Sequence, residues 1–144
     1  MKFRRSAIIL LVTFLLSSCS TVTHDLSGSK QVGGAQGQAT IDMGDQFGNI
    51  PLQVKIENLP PADRAAANAT TYVVWVRPTE SLPNEAPTEG LPIRNIGALR
   101  EGELKTKIEP FNNNFELFVT AEPQGNVDSP TSNPVFWTHF KLSG

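Results

Sequence analysis

One cysteine, two histidines and a few closely spaced carboxylates are the residues of this chain with chemistry to offer. Cys19 is the only thiol, so the chain can form no internal disulfide and no multi-thiolate metal site. His24 and His139 lie far apart in sequence, and with no second cysteine they do not make a zinc site. Glu101 and Glu103 flank Gly102 at an expected turn, which makes them a solvated tip rather than a paired general acid and base. Asn126, Asp128 and Asn133 have calcium-type oxygens, yet their spacing fits no EF-hand loop and ordinary turn chemistry accounts for them. No Gly-x-Ser-x-Gly elbow or comparable nucleophile setting occurs. The expectation is a protein that is not an enzyme, has no catalytic residues, and uses no metal and no cofactor.

The chemistry that the sequence does specify is at Cys19. Lys2, Arg4 and Arg5 form a positive n-region, and Ala7 to Leu16 is an apolar run broken only by Thr13. That run is half the roughly 20 residues a transmembrane helix needs, so it reads as the core of a cleaved secretory signal. Leu16-Ser17-Ser18-Cys19 closes it and resembles a lipobox, the processing signal of bacterial lipoproteins. The residue types suit that role: Leu16 fills an apolar pocket, Ser17 and Ser18 pass a peptidase site, and the thiol becomes a diacylglyceryl thioether. The resemblance implies cleavage after residue 18 and lipid attachment at Cys19, with further acylation (palmitate or similar) of the freed amine. Ser20 follows where Asp would be the usual inner-membrane retention signal. The expected address is therefore the cell envelope, favouring the cell outer membrane, with the membrane as a partner through the lipid on Cys19.

Losing residues 1–18 removes three of the 12 basic residues and none of the 14 acidic ones, leaving a mature chain near −5. An acidic domain next to anionic lipid is neither a nucleic-acid binder nor drawn to the bilayer by charge.

Residues 19–37 are rich in Ser, Thr, Gly and Gln and predict a flexible tether, spanning about 20–25 Å as a coil. Residues 38–144 carry the pattern of a folded domain. Ile50, Leu52, Val54 and Ile56 alternate with polar residues, as do Ala39, Ile41 and Met43, and Leu104, Thr106 and Ile108. Tyr72 to Val76 is apolar on both faces, and Ile93–Leu99, Phe115–Ala121 and Val135–Leu142 complete the set. About seven short strands separated by Pro, Gly and Asn clusters predict a single immunoglobulin-like antiparallel β-sandwich; a closed barrel is the alternative. Only Ala62 to Ala69 is helix-friendly, for one or two turns. Trp75 and Trp137 are expected in the core.

Leu59-Pro60-Pro61, Tyr72-x-x-Trp75, Ile96-Gly97, Val119-Thr120-Ala121-Glu122-Pro123, Gly125 and Pro130-Thr131-x-x-Pro134 occur in an order and approximate spacing that resemble the C-terminal extracytoplasmic domain of anti-sigma-K factors. Members of that family carry a sigma-binding helical region and a transmembrane helix ahead of this domain. With everything after Cys19 exported, the resemblance implies a fold and a compartment rather than sigma binding. The link after the Trp strand is longer here: Arg77 to Pro92 holds Pro78, Pro83, Pro87 and Pro92 with Glu80, Glu85 and Glu89. If strands simply alternate direction, this loop points away from the tether and so towards a partner. The functional expectation is a lipid-anchored, non-enzymatic interaction module of the envelope, binding an unidentified ligand such as an envelope protein or wall component. The rival is an accessory envelope sensor of an anti-sigma system, regulating transcription only through a partner.

Overall fold

The computed structural model describes residues 21–43, 49–79, 92–109 and 114–141. Among these residues there are eight strands: β1 Thr21–Gly28, β2 Gln36–Asp42, β3 Ile50–Glu57, β4 Thr71–Thr79, β5 Arg94–Ala98, β6 Glu103–Ile108, β7 Asn114–Glu122 and β8 Phe136–Lys141. All pairings are antiparallel, in the order β5-β4-β7-β8-β1-β2-β3-β6. The result is the antiparallel β-sandwich that the alternating pattern predicts, bent until it is nearly a barrel. One helical turn, α1 Ala62–Ala65, and a 3-10 turn at Lys30–Val32 are the other regular elements. No helix among the described residues is long and apolar enough to cross a membrane.

β1 is the strand that the composition hid. It pairs with β2 along Thr21–Leu26 and with β8 at Ser27 and Gly28, so it joins the β1-β2-β3-β6 sheet to the β5-β4-β7-β8 sheet. The expected flexible tether over 19–37 is therefore corrected: Thr21–Gly28 is strand, Lys30–Val32 a 3-10 turn, and β2 has begun by Gln36. Its polar letters mislead because only Leu26 of the eight is buried, and the strand is held by backbone pairing on two sides. Gly37, counted in the expected tether, is placed the same way. It sits in β2, where a Cβ would come within 2.9 Å of both Ile56 and Leu26, so a side chain is excluded by packing rather than omitted for flexibility.

The free edges β5 and β6 are consecutive in the chain and are linked by a two-residue hairpin. Arg100 and Glu103 exchange both backbone bonds at 2.9 Å, with Glu101 at φ 51° and Gly102 at φ 78°. Positive φ at both central positions is the turn whose twist suits paired strands. Gly102 also accepts a 2.8 Å bond from Ile56 N, and a Cβ there would lie 2.3 Å from Ile56 O.

Inward residues of the two sheets make one core, with Ala39, Ile41, Leu52 and Val54 facing Val74, Leu117, Phe136 and Phe140. Each large apolar side chain buried here contributes about 1.5–3 kcal/mol. β4 is apolar on both faces because a second, outer cluster of Val73, Trp75 and Phe118 is roofed by Ile93 and by Val127 of the β7–β8 connection.

Register fixes which loops share an end. Thr21 pairs with Asp42, Ile50 with Ile108, and Thr79 with Asn114, itself opposite Lys141. These positions form one end of the sandwich, the Thr21 end. The other, the Gly28 end, carries the connections 29–35, 58–70, 99–102 and 123–135.

Candidate functional site

Cys19 and the Pro-rich segment Ser81–Thr88 lie outside the described residues. The strand ends that carry the segment do not: β4 finishes at Thr79 and β5 begins at Arg94, opposite Val76, both at the Thr21 end. The loop expected to point away from the chain's entry into the domain thus leaves from the same end. The reason is β1, since one uncounted strand reverses every later direction.

His24, expected in the tether, faces inward from β1. Its ring stacks on Phe140 at 4.2 Å, and Nδ1 shares a 3.3 Å hydrogen bond with Thr138. His139 is half-buried on the opposite face of β8, where Nε2 shares a 2.8 Å bond with Thr79 Oγ1. Glu101 and Glu103 occupy the hairpin tip, exposed, as the turn reading implies. Among the described residues no group of three or more His, Cys, Asp or Glu side chains is placed to hold a metal ion.

The Glu122–Pro134 stretch is built differently from a calcium loop. Asn126, Asp128 and Asn133 are exposed. The buried carboxyl is Glu122, wholly inaccessible, and it takes up the loop's own donors. Thr120 Oγ1 donates to Glu122 Oε1 at 2.6 Å and the Thr131 amide donates to the same oxygen at 2.9 Å, while the Thr131 hydroxyl donates to Oε2. Trp75 Nε1 donates to Thr120 Oγ1 at 2.8 Å. Asn95 Nδ2 donates to the carbonyls of Gly125 and Val127, and Ser132 Oγ to that of Ala121. The loop is thereby pinned over Trp75. At the same end Tyr72 hydroxyl donates to Pro60 O at 2.8 Å; burial pushes this phenol above its ordinary pKa, with the Asp63 carboxylate adding to the shift. Trp75, Asn95, Thr120, Glu122, Gly125 and Thr131, scattered through the sequence, thus meet in one framework on the outer face of β4 and β7, while Tyr72 lies on the inner face with its hydroxyl on Pro60.

The outer face of β4, β7 and β8 is the surface with most to offer a partner. Cross-strand neighbours Trp75, Phe118 and Trp137 make an aromatic row, and Arg77, Glu116 and His139 make the next. Trp75 is fully buried, as expected, but Trp137 is 40% exposed and its core assignment is corrected. The signal was in the alternation of β8, which sends Phe136 and Phe140 inward and Trp137 and His139 outward. Arg77 forms an ion pair with Glu116 and places its guanidinium carbon 5.9 Å from the Phe118 ring centre. By contrast, the outer face of β1, β2, β3 and β6 carries Thr23, Gln38, Lys55 and Lys105 and is polar apart from Pro51. A shallow depression at the Gly28 end, between Asn58–Pro61 and Leu99–Gly102 over Tyr72, is the other concavity near the framework. No family model, curated protein or solved structure matches the chain.

Proposed function

We propose that the chain is a lipid-anchored protein of the bacterial cell envelope whose β-sandwich is a non-enzymatic binding module. The anchor rests on the n-region, the short apolar run and Leu16-Ser17-Ser18-Cys19, which make Cys19 the lipid attachment. The observation that carries the binding reading is Trp137, left open beside Arg77 and His139 on a sheet face whose other tryptophan is roofed. Trp and Arg are the residues most enriched where protein surfaces bind partners.

A photo-crosslinking residue at Trp137 in intact cells should give a discrete adduct, and the same residue at Lys55 on the polar sheet should not. Equal adduct patterns from the two faces would remove the assignment. Ser20 supports outer-membrane delivery, so Ser20→Asp should shift the protein to the inner membrane on fractionation; an unchanged distribution would count against that address.

A second reading, an accessory sensor of an anti-sigma system, is favoured by one observation. The residues that carry the resemblance to anti-sigma-K domains contact one another in two sets at the Gly28 end, Tyr72 with Pro60 and Trp75 with Thr120, Glu122 and Thr131, as parts of a shared fold would. Adjacent genes for a sigma factor and a membrane anti-sigma factor would support it, and envelope-assembly neighbours would oppose it.

A further inference from the structure

Thr21, two residues beyond Cys19, is already paired within β1. Two residues of fully extended chain reach about 7 Å at most. A coil of the length first expected for residues 19–37 would have let the domain stand off by about 20–25 Å and turn freely. Thr21, by contrast, is paired with Asp42 at the rim of the sandwich and cannot pay out more chain without breaking the sheet.

We infer that the sandwich stands end-on against the lipid surface, with its Thr21 end held at the headgroups and its Gly28 end presented outward. This rests on Cys19 being the lipid attachment. The occupant of the Thr21 end is the bilayer itself, specified by the length of the leash rather than by attraction. A mature chain near −5 has no electrostatic pull towards anionic headgroups. The membrane-facing rim includes Thr21, half-exposed Val22, Asp42, Lys107 and Lys141.

The eight residues of β1 rise about 3.3 Å each, which carries the Gly28 end about 20–25 Å further from the bilayer. The surfaces available to a partner then follow. Trp137 pairs with Ser27 near the far end of β1, so it sits well clear of the headgroups. The pinned 123–135 connection and the depression over Tyr72 face fully outward. The strand ends at Thr79 and Arg94 face the bilayer, so a partner reaching this protein from across the periplasm or the medium meets the Glu122-framed loop first.

The test uses the acylated protein reconstituted in phosphatidylcholine vesicles that carry a nitroxide on a fraction of their headgroups. Cys19 is the only cysteine, so one introduced thiol gives a single fluorophore site once Cys19 is acylated. Lys107→Cys and Lys141→Cys report the Thr21 end, and Gln31→Cys and Gln124→Cys report the other. Quenching should be several-fold stronger at 107 and 141 than at 31 and 124. Inserting about 15 Gly and Ser residues between Ser20 and Thr21, enough for about 20 Å of slack, should abolish the difference. Equal quenching at the two ends of an acylated protein would overturn the orientation. A difference that survives the insertion would overturn the leash as its cause. The mass of the N-terminal peptide, taken first, separates the two claims: an unacylated Cys19 removes the anchor and this inference together, whereas acylation with equal quenching removes the inference alone.

Discussion

Replacing Glu122 with leucine tests whether the buried carboxyl is what holds the 123–135 connection over Trp75. Leucine keeps most of the volume and removes both acceptors. The Thr131 amide, at an exposed residue, then loses its protein partner, and the buried Thr120 hydroxyl, already accepting from Trp75 Nε1, loses the oxygen it donates to. The buried Thr120 donor stranded in this way costs about 1–3 kcal/mol and the lost bond to the more exposed Thr131 amide about 0.5–1.5 kcal/mol, so Glu122→Leu should destabilise the domain by about 2–4 kcal/mol. That is a large part of the 5–15 kcal/mol typical of a domain, but not all of it. Glu122→Gln keeps one oxygen and allows the Thr131 hydroxyl to turn round and accept, so its cost should be about 1 kcal/mol. Denaturant unfolding gives both values. The structural consequence is read separately, in a Trp137→Phe background that leaves the fully buried Trp75 as the single tryptophan. Acrylamide should not reach Trp75 with Glu122 present and should reach it in Glu122→Leu before global unfolding. A loss under 1 kcal/mol for leucine, or a Trp75 that stays shielded, would refute the clamp.

Three other expectations follow from particular contacts. Gly102→Ala places a Cβ against Ile56 O at a positive φ and should cost about 2–4 kcal/mol, a fall in Tm on the order of 10 °C. Glu101→Gly, at the adjacent positive φ, should be neutral or stabilising by up to about 1 kcal/mol, so loss of stability in both variants would contradict the hairpin geometry. Tyr72 titrates above the ordinary phenol value of 10.0 in the folded state, so above about pH 10 the unfolded chain loses its proton first and stability falls as pH rises. Tyr72→Phe should flatten that alkaline slope and cost about 1 kcal/mol at neutral pH through the lost bond to Pro60 O, both measurable by urea titration across pH. Deleting residues 21–28 should abolish cooperative unfolding by circular dichroism, because it takes out the strand joining the two sheets; a tether would have been dispensable.

Seven of the eight strands among the described residues are legible from their apolar residues, β2, β3, β6 and β8 by alternation and β4, β5 and β7 as short apolar runs between turn signals. β4 stood out as apolar on both faces, and the structure supplies the second cover in Val127 and Ile93. β1 could not be read the same way. Thr21-Val22-Thr23-His24-Asp25-Leu26-Ser27-Gly28 gains its place through backbone bonds to β2 and β8, which leave no mark on side-chain composition. That single omission also turned the Pro-rich loop to the wrong end, an error of topology rather than of local reading. The Glu122 framework is visible in the sequence only as a string of motif residues, since the Trp75–Thr120 bond spans 45 residues and the Thr131–Glu122 bond closes a loop with no periodicity. Trp137 was within reach, because alternation along β8 already separates it from Phe136 and Phe140.

The central claim is that this sandwich is held to a membrane by Cys19 with almost no slack. The most direct measurement is the intact mass of the N-terminal fragment of protein isolated from membranes. The account predicts a chain beginning at Cys19 and carrying a diacylglyceryl group, with or without a further acyl chain on its amine. A fragment beginning at Met1, or a Cys19 with a free thiol, would contradict it.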